Sequence, residues 1–149
     1  MMPIIEKFDR QKHDLGEVKA LLAMAAGRPT LDKLAYLIDR FYASDGRSVF
    51  VALRNGRIAG IIGVEHATSS YGFITHLAVH PELRKKSMAT RLITHVMAAF
   101  NLNEIEVETD QETVEFYRAC GFQAREIDSP YKGFRRFRCV KSTALEMGK

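Results

Sequence analysis

The stretch FITHLAVHPELRKKSMATRLITHVM, residues 73–97, contains the transition on which the fold depends. Its first part is rich in β-branched, aromatic and other apolar residues, which predicts a β-strand. Pro81 has no N–H to donate to a strand ladder, so the strand should end there. From residue 87 to residue 100 the apolar positions return at helical spacing. A strand therefore leads into a helix, with three cations, residues 84–86, at the junction.

The start of this helix has the features of an anion site. The first N–H groups of a helix have no intrahelical partner, and the helix dipole adds positive potential at the same end. Arg84, Lys85 and Lys86 would be unfavourable there without an anion. Small side chains at Ser87 and Ala89 let a ligand approach the backbone. We expect a phosphate or pyrophosphate site, of neither the GxxxxGKS/T nor the GxGxxG type. The alternative from these residues alone is a solvated basic loop.

Strand and helix patterns alternate along the rest of the chain. A short strand near residues 3–8 precedes two amphipathic helices, and Asn55-Gly56 predicts a hairpin between the next two strands. Thr109 and Glu112 match a capping box ahead of a later helix. The predicted segments after the junction helix are a strand at 104–109, a helix at 112–120 and strands at 122–127 and 134–139. The predicted order is β-α-α-β-β-β-α-β-α-β-β.

Composition and charge are those of an ordinary globular protein. The 149 residues are 46% hydrophobic and 27% charged, which predicts one domain over residues 1–149, with 141–149 as a loose tail. No apolar run reaches the ~20 residues needed to cross a membrane, and the N-terminus lacks a signal-peptide pattern. Cys120 and Cys139 have neither disulfide-framework nor zinc-site spacing. We expect a cytoplasmic protein without a membrane or metal partner.

Two segments resemble motifs of the GNAT family of N-acetyltransferases. ITHLAVHPELRKKSMATRLITHVM, residues 74–97, resembles the strand, Arg/Gln-x-x-Gly-x-Gly/Ala loop and helix with which that family binds acyl-CoA. ETVEFYRACGF, residues 112–122, resembles its later Ala-x-x-Phe-Tyr-x-x-x-Gly-Phe motif. The resemblance implies the α/β (α+β) class, with a mixed, mostly antiparallel central sheet of six to seven strands flanked by about four helices.

The resemblance also implies acetyl-CoA as the cosubstrate. The main chain of Leu77, Ala78 and Val79 would hydrogen-bond the pantetheine arm, where a bulge frees it from strand pairing. The loop that would wrap the pyrophosphate consists of Arg84, Lys85, Lys86, Ser87, Met88, Ala89 and Thr90. Ser87 and Ala89 stand where the family pattern has its two glycines, and a positive φ at Ser87 would cost about 1 kcal/mol.

For catalysis, the resemblance implies that Tyr117 is the general acid for the leaving thiolate. A base must also take a proton from the attacking amine. We nominate His76, which precedes the pantetheine-binding segment and titrates in the right range. Glu65 and Glu108 are alternatives, as is a chain of water molecules. His76 and His80 are not a metal pair, because four strand residues separate them by roughly 13 Å.

These features predict an N-acetyltransferase in which a primary amine of a small molecule or protein attacks acetyl-CoA directly in a ternary complex. The alternative is a catalytically weak module of the same fold that binds or senses acyl-CoA. Nucleic-acid binding by the basic segment YKGFRRFR, residues 131–138, is less favoured than a strand with one apolar and one cationic face. The sequence leaves a homodimer open. Its net charge of +4 disfavours polyamine acceptors unless local carboxylates reverse it.

Overall fold

A computed structural model describes residues 3–27, 29–83 and 85–143, with Lys85 and Lys86 described by their backbone alone. The elements follow the predicted order. The strands are β1 (Ile4–Lys7), β2 (Arg47–Arg54), β3 (Arg57–Glu65), β4 (Tyr71–Val79), β5 (Glu104–Asp110), β6 (Gln123–Ile127) and β7 (Arg136–Ser142). The helices are α1 (Leu15–Ala26), α2 (Leu31–Tyr36), α3 (Lys85–Ala99) and α4 (Val114–Ala119). Helix α2 continues directly into a π-helical turn, Leu37–Phe41.

The seven described strands form one mixed sheet in the order β1-β2-β3-β4-β5-β7-β6. Every neighbouring pair is antiparallel except β4 and β5, which are parallel because α3 connects them. The β2–β3 hairpin turns at Asn55 and Gly56, whose φ angles of 53° and 77° match the turn that this dipeptide predicts. The predicted class, a mostly antiparallel sheet flanked by four helices, is confirmed.

Helices cover both faces of the sheet and divide the core into two clusters. On one face, α3 packs against the sheet through Leu92, Ile93 and Val96, all fully buried, and α4 packs there through Val114 and Tyr117. On the other face, α1 and α2 cover β2 to β4 through residues such as Val18 and Leu22. No helix in the described part of the chain is long and apolar enough to cross a membrane.

The structure corrects three predicted boundaries. Helix α3 begins at Lys85, two residues before the predicted start at Ser87. The Thr109 capping box is absent at α4: the Asp110 carboxylate caps the preceding turn by accepting the N–H groups of Glu112 and Thr113, and the N-cap residue Thr113 makes no side-chain cap bond. Strand β7 includes residues 141 and 142, which pair with β5 and are not a loose tail. Residues 144–149 of that predicted tail lie outside the described residues.

Strands β4 and β5 are paired at one end and diverge at the other. Their pairing covers only Tyr71 to Phe73 of β4, opposite Glu104 to Glu106 of β5. The next residues of β4 carry a bulge, because Ile74 pairs with Val64 and His76 with Gly63, leaving Thr75 as the extra residue. A bulge bends and twists its strand. The second half of β4 therefore separates from β5 and opens the sheet.

Candidate active site

A cavity of about 540 Å³ lies where β4 and β5 diverge. Its walls are the second half of β4, the end of β5 and the adjoining turn and helix α4, with the end of α1 at one side. Among the residues that line it are His76, Leu77, Ala78, Val79, Glu108, Asp110, Glu112 and Tyr117. The cavity exists because a sheet that opens between two central strands leaves a wedge which no side chain fills.

The edge of β4 that faces this cavity is the part of the main chain predicted to bind pantetheine. Leu77, Ala78 and Val79 pair with β3 in regular register, and no described strand lies on their other side. The bulge is at Thr75 rather than at these three residues, so the divergence from β5 is what leaves their edge open. An extended arm with amide groups fits such an edge, because it can take the place of a missing strand.

The predicted pyrophosphate loop is shorter than expected, because α3 already includes most of it. Arg84 lies outside the described residues, and the side chains of Lys85 and Lys86 are not described. In a helix that starts at Lys85, the N–H groups of Lys85, Lys86 and Ser87 have no intrahelical partner. Ser87 does not have a positive φ, so it carries no strain from replacing a glycine.

Met88, Ala89 and Thr90 continue α3 beyond its first turn. Their N–H groups are positioned to bond within the helix, and the side chains of Met88 and Ala89 are 5% and 0% exposed in the core. These residues anchor the start of the helix against the sheet. An anion at this end would contact the amides of the first turn, as the helix dipole favours.

Tyr117 presents its hydroxyl to the cavity from an otherwise apolar setting. The residue is 7% exposed, and its ring contacts Phe116 and Phe122 edge to face, with centroids 5.3 and 5.4 Å away. Burial raises the pKa of the phenol, so it stays protonated at neutral pH. The hydroxyl has no hydrogen-bond partner among the described residues. The geometry leaves a free proton donor at the cavity wall.

His76 is held through one ring nitrogen by a residue that the sequence had not singled out. The Tyr42 hydroxyl hydrogen-bonds His76 Nδ1 and lies 2.5 Å from Thr75 Oγ1. Burial lowers the pKa of His76, and the charge of Lys33 lowers it further, so the imidazole is neutral near pH 7. Nε2 is the nitrogen that has no partner in the described part of the chain.

The two alternative bases have different surroundings. Glu65 is bound to the Arg47 side chain, with Nε of Arg47 3.0 Å from Oε2 of Glu65, and it does not line the cavity. Glu108 is exposed, lines the cavity and has no ion-pair partner among the described residues. Of the carboxylates that the sequence suggested, only Glu108 remains a candidate beside His76.

Tyr42 and Gly63 are residues beside His76 that the sequence did not single out. The helical pattern that identified α2 runs through Phe41, and nothing in it shows that a π-helical turn will direct Tyr42 towards β4. Gly63 reads as one of several small residues in a buried strand. Its importance depends on the tertiary contact, because a Cβ on Gly63 would overlap the Tyr42 hydroxyl.

The basic segment, residues 131–138, includes the first part of β7. Phe137 and Cys139 of β7 are buried, whereas Arg136 and Arg138 lie on the opposite face, which matches the favoured strand interpretation. Nε of Arg138 lies 3.2 Å from Oε2 of Glu106, but its alignment is too poor for a hydrogen bond.

Within the described ranges, no group of three or more His, Cys, Asp or Glu residues could hold a metal ion.

Comparison with known proteins identifies the family. A model described as "Acetyltransferase (GNAT) domain" matches residues 45–124, which include the cavity-lining strands and α3. At the level of sequence, no curated protein matches the chain.

Several solved structures have the same fold. The aminoglycoside 6'-N-acetyltransferase from Enterococcus faecium is 17% identical with a TM-score of 0.77, over 93% of this chain and 96% of that one. A spermidine N-acetyltransferase chimera involving Vibrio cholerae is 16% identical with a TM-score of 0.78, over 100% of both chains. A Bacillus subtilis acetyltransferase in complex with CoA is 18% identical with a TM-score of 0.67, over 94% and 98%.

These structural similarities are at low identity and show the fold. The family match covers more than half of the chain, and it includes the strand and helix that the sequence motifs had indicated. The chain therefore belongs to the GNAT acetyltransferase family and is an acetyltransferase whose cosubstrate is acetyl-CoA.

Proposed function

We propose that this protein transfers the acetyl group of acetyl-CoA to a primary amine of a small cationic molecule, by direct attack in a ternary complex. The observation that carries the proposal is the cavity between the diverging strands, where the free Tyr117 hydroxyl and the neutral His76 ring line one space. Direct transfer needs an acid, a base and a site for both substrates, and this cavity holds a candidate for each.

Each residue has a distinct role in this mechanism. The open edge of β4 at Leu77 to Val79 would hold the pantetheine arm, and the first-turn amides of α3 would bind the pyrophosphate. His76 Nε2 would accept the proton from the ammonium form of the acceptor, leaving a neutral amine. The amine nitrogen would bond to the thioester carbonyl carbon and the C–S bond would break, with the Tyr117 hydroxyl protonating the departing sulfur. The phenolate would regain its proton from the nitrogen as that becomes the amide. Bound acetyl-CoA supplies the activated thioester.

Charge at the cavity favours a cationic acceptor. Among the described lining residues, Glu108, Asp110 and Glu112 carry carboxylates, whereas none carries an ammonium or guanidinium group. The local charge is therefore negative although the whole chain has a net charge of +4. Aminoglycosides and spermidine, which are named for two of the structural neighbours, are polyamines. The local carboxylates remove the objection that net charge raised against such acceptors.

A reducing cytoplasm is the compartment that we propose. Cys120 and Cys139 are both buried as free thiols, and burial raises the pKa of the Cys139 thiol. Buried, protonated thiols are stable in a reducing environment and are of no use as a disulfide framework.

Release of free thiol from acetyl-CoA tests the proposed function. The assay pairs acetyl-CoA with spermidine, an aminoglycoside, single amino acids, an arylamine and a peptide with a free N-terminus. We expect turnover with the polyamines and little with the acidic amino acids. Turnover restricted to the peptide or to acidic acceptors would contradict the cationic small-molecule acceptor.

Thermal shift separates binding from turnover. Acetyl-CoA should raise the melting temperature of the wild type, and replacing Arg84 and Lys85 by Glu should abolish that rise. Replacing Lys132 and Arg135 by Glu is a matched charge change in the β6–β7 loop, away from the cavity lining, and should leave the rise intact. A rise in melting temperature without thiol release from any acceptor would favour an acyl-CoA sensor instead.

A further inference from the structure

Three departures from regular backbone structure meet at the hydroxyl of Tyr42. The π-helical turn, Leu37–Phe41, ends immediately before Tyr42. The bulge in β4 places Thr75 and His76, which are consecutive, on the same hydroxyl, although consecutive strand residues normally point to opposite faces. Gly63, paired with His76 on β3, leaves the space that the phenol occupies. A hydroxyl needed only for packing would not require three such features.

We propose that Tyr42 is a positioning residue for His76: its phenol oxygen accepts Nδ1–H, its own proton goes to Thr75 Oγ1, and Nε2 is left free to act as the base. The proposal rests on the proposed function for the role of His76, but the arrangement of the three side chains stands on geometry. Tyr42 touches neither substrate in this scheme and acts only through the imidazole.

The direction of the hydrogen bonds decides whether His76 can be a base. If Tyr42 donated to Nδ1, the neutral ring would carry its proton on Nε2 and could not accept another there. If Nδ1–H donates to Tyr42, Nε2 has a lone pair. When Nε2 takes the proton from the acceptor's ammonium group, the resulting imidazolium keeps its Nδ1–H bond to the phenol. No hydrogen bond in the network then has to reorganise during proton transfer.

The surroundings support a neutral phenol at this position. Burial raises the pKa of Tyr42, so the phenol keeps its single proton and cannot ionise to balance the imidazolium. The charged groups that face Tyr42 and His76 from neighbouring elements are Lys33 of α2, Arg47 of β2, Glu65 of β3 and Glu108 of β5. Arg47 and Glu65 neutralise each other in an ion pair, which leaves Lys33 as the charge that lowers the pKa of His76 in addition to burial.

Two substitutions test the direction of the network without removing the ring. Thr75→Val keeps a β-branched residue in the bulge but removes the acceptor for the Tyr42 proton, so Tyr42 must donate to Nδ1. Nε2 should then become protonated. Tyr42→Phe removes the phenol oxygen altogether. We expect each variant to lower kcat by about tenfold, the effect of one hydrogen bond, with KM for acetyl-CoA unchanged.

The control is Tyr71→Phe, which removes another hydroxyl of β4, one that bonds Glu106 and does not contact His76. It should keep the wild-type kcat. In the pH profile, the acidic limb of kcat should move to lower pH in Tyr42→Phe, because the imidazolium loses its acceptor. A loss of activity caused only by poorer folding would not move that limb.

Nitrogen NMR of the ¹⁵N-labelled full chain reads the tautomer directly and needs no acceptor substrate. Wild-type His76 should carry its proton on Nδ1, and Thr75→Val should move it to Nε2. Protonated Nε2 in the wild type would overturn the proposal even if the enzyme is active. Full activity in His76→Gln would overturn the proposal as well, because it would show that His76 is not the base. A correct tautomer in an enzyme that acetylates none of the tested amines would support the positioning role while contradicting the proposed acceptor.

Discussion

Replacing Gly63 by Ala should destabilise the protein far more than the same change elsewhere on the strand. Gly63 is on β3 opposite His76, and the ring of Tyr42 lies against it. A Cβ at Gly63 would overlap the Tyr42 hydroxyl and would lie 2.8 Å from Cε1 of the same ring. Both atoms belong to one rigid phenol, whose hydroxyl is held by hydrogen bonds to Thr75 and His76, so the whole phenol must move.

The magnitude follows from what that movement breaks. Overpacking in a buried site costs about 1–3 kcal/mol. The displaced phenol also loses its hydrogen bonds to Thr75 and His76, at about 1 kcal/mol each. We expect Gly63→Ala to lower the free energy of unfolding by about 3–5 kcal/mol in total. In a Tyr42→Ala background the obstacle is gone, and the same change should cost less than about 1 kcal/mol.

Gly60→Ala is the matched control on the same strand. Its added Cβ would meet Cδ1 of Leu92 at 3.1 Å and Cγ of Met88 at 3.2 Å, both in flexible side chains. That change should stay within about 1 kcal/mol of the wild type. Urea unfolding, followed by circular dichroism on the wild type, Gly63→Ala, Tyr42→Ala and the double variant, measures the coupling. Equal costs at Gly60 and Gly63, or additive costs at Gly63 and Tyr42, would refute the packing of Tyr42 over Gly63.

Three further predictions concern catalysis, pH and capping. Tyr117→Phe keeps the packed ring but removes the proton donor, so thiol release should fall by about 100-fold while the thermal shift with acetyl-CoA persists; an unchanged rate would exclude Tyr117 as the acid. Burial lowers the pKa of both His66 and His76, so the unfolded chain binds protons more readily and the free energy of unfolding should fall as pH drops below about 6.5. The double variant His66→Gln/His76→Gln should flatten this slope in urea titrations at about pH 7.5 and about pH 5.5, on either side of the ordinary histidine pKa, and an equally steep slope would contradict the assignment. Asp110→Ala should cost about 1 kcal/mol through loss of the bonds that cap the turn leading into α4, whereas Asp110→Asn keeps an acceptor and should cost less; equal melting temperatures for the two variants would show that these bonds do not contribute.

Much of the fold can be predicted from local sequence signals, because turns and helix ends depend on residues that are adjacent in the chain and not on tertiary contacts. The Asn55-Gly56 turn depends on two neighbouring residues, and the structure has it as predicted. Local signals also end α1 at Gly27, with a φ of 71°, and cap α2 at Thr30, which accepts the N–H of Lys33. Boundaries were less predictable where tertiary pairing competes with local preference. Residues 141 and 142 look like a tail, yet they extend β7 because β5 offers them a partner.

The sequence by itself determined the element order, the family and the strand-to-helix junction at which acetyl-CoA is expected, since periodicity and motif spacing are properties of a one-dimensional chain. Only the tertiary structure decided how the site is assembled. The divergence of β4 from β5 arises from a bulge whose position at Thr75 depends on pairing with β3. The contact between Tyr42 and His76 joins residues 34 positions apart through a π-helical turn and a glycine. No local pattern contains such a contact, because it depends on packing α2 against the sheet.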